Sequence, residues 1–190
     1  MSNKKIRVLS FDPGLTKAGW SVNDYDPSTQ TMHVVKYGFL TPKPEAAKVI
    51  NRTEVEIFGL RVISLALLRR YIRELVTEYK PDYTATEDAF YCSRMPAAYG
   101  SLIQWIVSVE NLLHDEFRLT MMRIAPKDVK HSISGSGNSG KLSVQQAILS
   151  NSNIQFRAKT DLLQMCEHEG DAIAVGWTFC TKFLPGMLNV

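Results

Sequence analysis

Arg7-Val8-Leu9-Ser10-Phe11-Asp12-Pro13-Gly14 decides how the rest of the chain is read. Ile6, Val8, Leu9 and Phe11 give the apolar run of a buried strand. Pro13 removes an N–H and Gly14 accepts unusual backbone angles, so the strand stops there. Asp12 is therefore expected at the tip of a central strand, its carboxylate facing solvent or a metal. A plainer role stays open, because aspartate often opens a Pro-Gly turn. Ala18-Gly19-Trp20-Ser21-Val22 resumes as a second strand, which makes the pair a hairpin.

Working outward, Tyr25-Asp26-Pro27-Ser28 is a turn and Met32 to Phe39 a third strand, so residues 5–40 read as three antiparallel strands. Thr41 to about Thr53, with Pro42 and Pro44, is a connector. Over 54–79, Leu60, Ile63, Leu67, Leu68, Ile72, Leu75 and Val76 recur at helical spacing. Pro81-Asp82 breaks that helix. Tyr83-Thr84-Ala85-Thr86-Glu87 is a short strand that again ends on a carboxylate. A loop follows with Phe90, Tyr91 and Arg94, then a helix over about 97–116 and a strand over 119–124. Pro126 suits the first position of a short helix. The last helices are expected over 143–150 and 168–183, the latter with small residues that allow close approach to a sheet.

Several classes are excluded. The 190 residues suit one domain, 1–190, with a core of its own. No apolar run is long enough to span a bilayer, and the N-terminus leads straight into a strand. Cys92, Cys166 and Cys180 are odd in number and lack CxxC spacing. They point to a reducing compartment, the cytoplasm, with no disulfide framework and no cysteine zinc site. The net charge of +3 permits nucleic-acid binding without establishing it. Gly135-Ser136-Gly137-Asn138-Ser139-Gly140-Lys141 resembles a phosphate loop superficially, but its spacing and context are wrong for one.

Three strands, a helix, a strand and further α/β units follow the order of a ribonuclease H-like α/β fold. The expected sheet is mixed and five-stranded, its three antiparallel strands first, and flanked by helices. Such a fold brings the first strand, the fourth strand and a late helix to one end of the sheet. Here those places hold Asp12, Glu87 and the pair His168 and Asp171, which share a helix face three residues apart. Clustered acids repel unless cations neutralise them, and Mg²⁺ or Mn²⁺ prefers carboxylate oxygen. Two such ions could activate water and stabilise the leaving 3′-oxygen in phosphodiester hydrolysis. Plainer roles remain open at each position. Glu87 could be a surface strand end, His168 a solvated helix residue, and Asp171 a partner of the helix dipole.

Beyond the acids, the chain resembles the RuvC-type Holliday junction resolvases along almost its whole length. Ser10-Phe11-Asp12-Pro13-Gly14 with Ala18-Gly19-Trp20, Pro81-Asp82-Tyr83 through Phe90, Ala125-Pro126-Lys127-Asp128-Val129-Lys130, and Glu169-Gly170-Asp171-Ala172 occur in the family's order. The resemblance implies a homodimeric endonuclease of DNA recombination and repair. It would take two Mg²⁺ or Mn²⁺ ions per site and nick two strands of a four-way junction symmetrically. It implies catalytic and metal-binding roles for Asp12, Glu87 and Asp171, with His168 where many relatives carry a carboxylate. It implies DNA contacts by Phe90, Lys130 and Lys141, Lys141 also serving catalysis, with Tyr91 and Arg94 on the same loop as Phe90. The apolar face of the 97–116 helix, with Trp105, is a candidate dimer interface or plain core. The long 41–53 connector points to a phage-encoded or otherwise divergent member acting in the host cytoplasm. Two alternatives stand beside this reading. One is a related nuclease acting on flaps, Y-forks or RNA–DNA hybrids; the other is a junction-binding protein without cleavage.

Overall fold

A computed structural model describes residues 5–43, 56–135, 137, 141–156 and 165–188 of the chain. Six strands form one mixed sheet: β1 (Ile6–Asp12), β2 (Ala18–Asp26), β3 (Thr31–Leu40), β4 (Tyr83–Glu87), β5 (Met121–Ile124) and β6 (Ile154–Phe156). Their order is β5-β4-β1-β2-β3-β6. The first three strands are antiparallel neighbours. β4 joins β1 in parallel, and β5 joins β4 in parallel. The expected sheet of five strands thus has a sixth, β6, parallel to the Met32–Val34 portion of β3. Its three residues are too few to carry an alternating pattern.

Four helices matter for the site: α1 (Leu60–Tyr79), α2 (Pro96–Phe117), α3 (Pro126–Ser134) and α5 (Glu167–Thr178), with α4 (Lys141–Ser150) between the last two. The helix expected from residue 54 becomes regular only at Leu60, because Gly59 takes φ +77° and breaks it from the short turn before. Beyond Lys43, the 41–53 connector lies outside the described residues. The final helix, expected to run unbroken over 168–183, is α-helical to Thr178. It then widens into a π-helical turn at Phe179–Phe183 before α6 (Leu184–Leu188).

Successive side chains of β1 point to opposite faces and so build two cores. Leu9 and Phe11 face α1 and α2, joining Leu68, Ile72, Trp105 and Val109. Val8 lies in the other core with Ile173, Val175 and Phe179. Trp105 is fully buried and meets Phe11 edge-on, with ring centroids 5.6 Å apart. The apolar stripe of α2 is therefore core, and Trp105 is removed as a dimer contact. An apolar stripe says that a face is covered, not by what.

On the α5 side, the buried hydroxyl of Ser10 donates to the Ala172 carbonyl at 2.9 Å. Asn23 Nδ2 donates to Ser10 Oγ at 3.1 Å and to Ser21 Oγ at 2.9 Å. The small residues of α5 make this approach possible. A Cβ on Gly176 would stand 2.5 Å from Asn23 Nδ2 and 2.7 Å from Ser10 Oγ. Among the described residues no helix is long and apolar enough to cross a membrane.

Candidate active site

Strand register alone brings two of the acids level. Phe11 of β1 pairs with Thr86 of β4, so the next residue on each strand, Asp12 and Glu87, ends its strand beside the other. Adjacent strands lie about 4.8 Å apart. On the other side of β1, Asp12 pairs with Gly19 of β2. A Cβ on Gly19 would fall 1.8 Å from the His168 carbonyl oxygen, so only glycine lets the start of α5 rest against the sheet there. That contact places His168 over Asp12: the imidazole Nδ1 lies 2.6 Å from the Asp12 carboxylate. Asp171 follows one helical turn later on the same face.

The electrostatics report the same convergence. Glu87 is pushed up from 4.5 to about 8, first by loss of solvation and then by the charges of Asp12 and Asp171; Lys130 opposes the rise. The hydrogen bond to Asp12 raises His168 above its ordinary value despite partial burial, so it favours the imidazolium form. Glu169, in the same stretch of α5, has a different task. Its carboxylate accepts the Cys166 backbone N–H at 2.7 Å and caps the helix.

The donors fit hard divalent cations in kind: three carboxylates and one imidazole, with mutual repulsion that a cation would relieve. Among the described residues no group of three or more His, Cys, Asp or Glu side chains stands in metal-ligating geometry. Ligation by this set requires Glu87 to lose its proton. It also requires His168 to lose a proton, and either to part from Asp12 or to ligate through its other ring nitrogen.

The remaining expected residues divide. Phe90 is 59% exposed and Tyr91 66%, so neither is core. Tyr91 stacks edge-on against Tyr99 at 5.7 Å. Arg94 is exposed on the same loop. Phe90, Lys127 and Lys130 share with Glu87 the lining of a groove of about 570 Å³ on the β4–β5 side of the acids. Lys141 begins α4, but its side chain lies outside the described residues. Sequence reasoning missed the work of Gly19. Ala18-Gly19-Trp20 was readable as part of a motif, but the reason for its glycine is a contact with a residue about 150 positions away.

Carboxylates gathered at the strand ends of a ribonuclease H-like sheet, with a late helix completing the set, define a class of phosphodiester-cutting enzymes. The family model described as crossover junction endodeoxyribonuclease RuvC matches residues 8–179. The chain belongs to this family and is a Holliday junction-resolving endodeoxyribonuclease; nucleases of the family generally depend on divalent metal. The RuvC of Synechococcus sp. (strain RCC307) is 25% identical over 178 residues, covering 91% of this chain and 97% of that relative. In fold, the chain resembles Thermus thermophilus RuvC with a TM-score of 0.67 at 16% identity, covering 95% and 97% of the two chains. It also resembles the yeast mitochondrial Holliday junction resolvase, with a TM-score of 0.68 at 13% identity, covering 92% and 78%.

Proposed function

We propose that Asp12, Glu87, Asp171 and His168 form the catalytic centre with which this endonuclease nicks paired strands of a four-way DNA junction. The observation that carries this is the convergence of β1, β4 and α5 on one point, where burial first, and then the charges of Asp12 and Asp171, raise Glu87 to about 8. Two Mg²⁺ or Mn²⁺ ions, when bound, supply Lewis-acid activation of water and stabilisation of the leaving 3′-oxygen. Asp12, Glu87 and Asp171 would hold them, and His168 would complete the set once its ring has lost its proton. Without metal, its imidazolium form balances the charge of Asp12.

Around this centre, Lys130 offsets the negative charge of Glu87 and of an approaching phosphate. Lys141 acts from the start of α4 on the same phosphate. Phe90, exposed beside the groove, stacks on a base opened at the crossover, a contact worth about 1–3 kcal/mol. Tyr91 and Arg94 extend that contact along the loop. A four-way junction has approximate two-fold symmetry, so a C₂ homodimer presents two equivalent centres. The dimer surface is other than the buried Trp105 stripe. The enzyme works in the cytoplasm, a host's if the chain is phage-encoded.

The test compares cleavage of a mobile four-way junction, a Y-fork, a linear duplex and an RNA–DNA hybrid, with Mg²⁺ and with Mn²⁺. Paired symmetric nicks confined to the junction are expected. Equal cutting of the hybrid would overturn the assignment, and binding without any cutting would mark an inactive junction binder.

A further inference from the structure

A second groove, of about 720 Å³, meets the acid cluster at His168, on the β1–β2 side. The turn of residues 13–17 and Lys43 form one wall, while α1 and α2 form the other. Among the described residues, Lys17, Lys43 and Arg61 line it, and no aspartate or glutamate does. Their placement is organised. The Lys17 ammonium sits 3.9 Å from the ring centre of Phe39, which is 47% exposed. The Arg61 guanidinium donates to the Ser101 hydroxyl, which itself donates to the Ala97 carbonyl at 3.0 Å. The Lys43 backbone N–H donates to the Leu15 carbonyl at 2.9 Å, tying that segment to the turn after β1.

The cavity at the far end of β1 gives the contrast. There Lys5, Arg7 and Lys80 face Asp24, Glu78 and Asp82, so its charges answer one another. Three cations without an acid among the described lining residues, between apolar walls at Leu15, Leu60 and Leu102, suit alternating phosphates and sugars. The groove holding Phe90 and Lys130 ends on Glu87, and this one ends on His168. The two thus flank the acids from the β4–β5 and β1–β2 sides.

We infer that the Lys17–Lys43–Arg61 groove holds the phosphates of the scissile DNA strand as it leaves the cleaved bond on the side away from Phe90. This rests on the nuclease reading above. The strand crosses the acids from one groove to the other, with a base stacked at one end and phosphates clamped at the other. The clamp is blind to sequence, since it reads phosphate charge alone.

The experiment measures junction binding by the full chain in EDTA, by fluorescence anisotropy across a series of KCl concentrations. The variants are Lys17→Gln/Lys43→Gln/Arg61→Gln and, as control, Lys5→Gln/Arg70→Gln/Lys80→Gln. Three lost phosphate contacts are expected to flatten the slope of log Kd against log salt by about two to three in the first variant, and by less than about one in the control. Single neutral methylphosphonates placed within a few nucleotides on either side of the cut then locate the contact. On one side they weaken binding by wild type and leave the groove variant unaffected. An unchanged slope in the groove variant, equal flattening in both variants, or equal sensitivity of wild type and variant to every methylphosphonate would overturn the inference. Failure of wild type to cut junctions would instead sink the nuclease reading, which this binding assay does not depend on.

Discussion

The two ends of β1 handle charge in opposite ways. At its start, the Arg7 guanidinium donates to both oxygens of Asp24, at 2.7 and 3.0 Å, and to the Tyr79 carbonyl at 3.1 Å. The Arg7 backbone N–H donates to Asp82 at 2.8 Å. Basic and acidic side chains there face one another within the chain. At the other end, Asp12, Glu87 and Asp171 gather with His168, and Glu87 takes up a proton near pH 8 because burial, and then the charges of Asp12 and Asp171, disfavour its carboxylate. The same strand thus ends on matched charges at one tip and on an excess of acids at the other. On the function proposed above, that second tip is completed from outside, by cations and a phosphate.

The sharpest way to break this contrast is Asp12→Asn. Cleavage is expected to fall by about a thousandfold or more, as several kcal/mol of transition-state stabilisation disappear, while junction binding persists. Persistent cutting in a gel assay would remove Asp12 from the mechanism. At the opposite tip, Asp24→Asn breaks a bidentate but partly exposed pair. It is expected to cost about 1–2 kcal/mol in urea unfolding and to leave the cleavage rate unchanged.

Titration separates the tips more finely. Glu87 has a folded value above its unfolded one, and so does His168. Each contributes stability that is complete below its unfolded value and lost as pH rises through the folded one. In EDTA the melting temperature is therefore expected to drop as pH climbs from about 4.5 to beyond 8. Glu87→Gln is expected to flatten that decline, making the protein more stable at pH 8 while abolishing cleavage. Added Mn²⁺ is expected to restore the lost stability at high pH, by mass action on the folded state. A melting curve rising with pH over this range would contradict the crowding of acids at the site. The smallest expected effect is metal preference: an imidazole in the set suits Mn²⁺, so Mn²⁺ should support at least as much turnover as Mg²⁺. Strict selectivity for Mg²⁺ would count against His168 as a ligand.

Much of this was legible in the residues because strand ends are punctuated locally. Pro13-Gly14 after Asp12 announces the tip of β1, and the β-branched and small residues before Glu87 announce the tip of β4. The pairing of His168 with Asp171 needed only helical spacing. What stayed hidden depends on pairs of distant residues. Gly19 reads as any strand glycine until the carbonyl of His168 lies against it. Trp105 reads equally as interface or core until Phe11 is found beneath it. Lys17, Lys43 and Arg61 stand in three separate segments, and no local pattern signals that they share a groove.

The buried hydroxyl of Ser10 fastens α5 to the sheet from the middle of β1, two residues before Asp12. The proposed catalytic geometry is thereby bolted to the buried middle of the sheet. The amide protons of Phe11, Asp12 and Ala172 are expected to exchange with deuterium only through whole-domain opening, among the slowest in the chain, while the Phe90 loop exchanges quickly. On this reading, breathing that admits a bulky branched substrate belongs to the rim, while the backbone that carries the acids stays fixed and only their side chains rearrange.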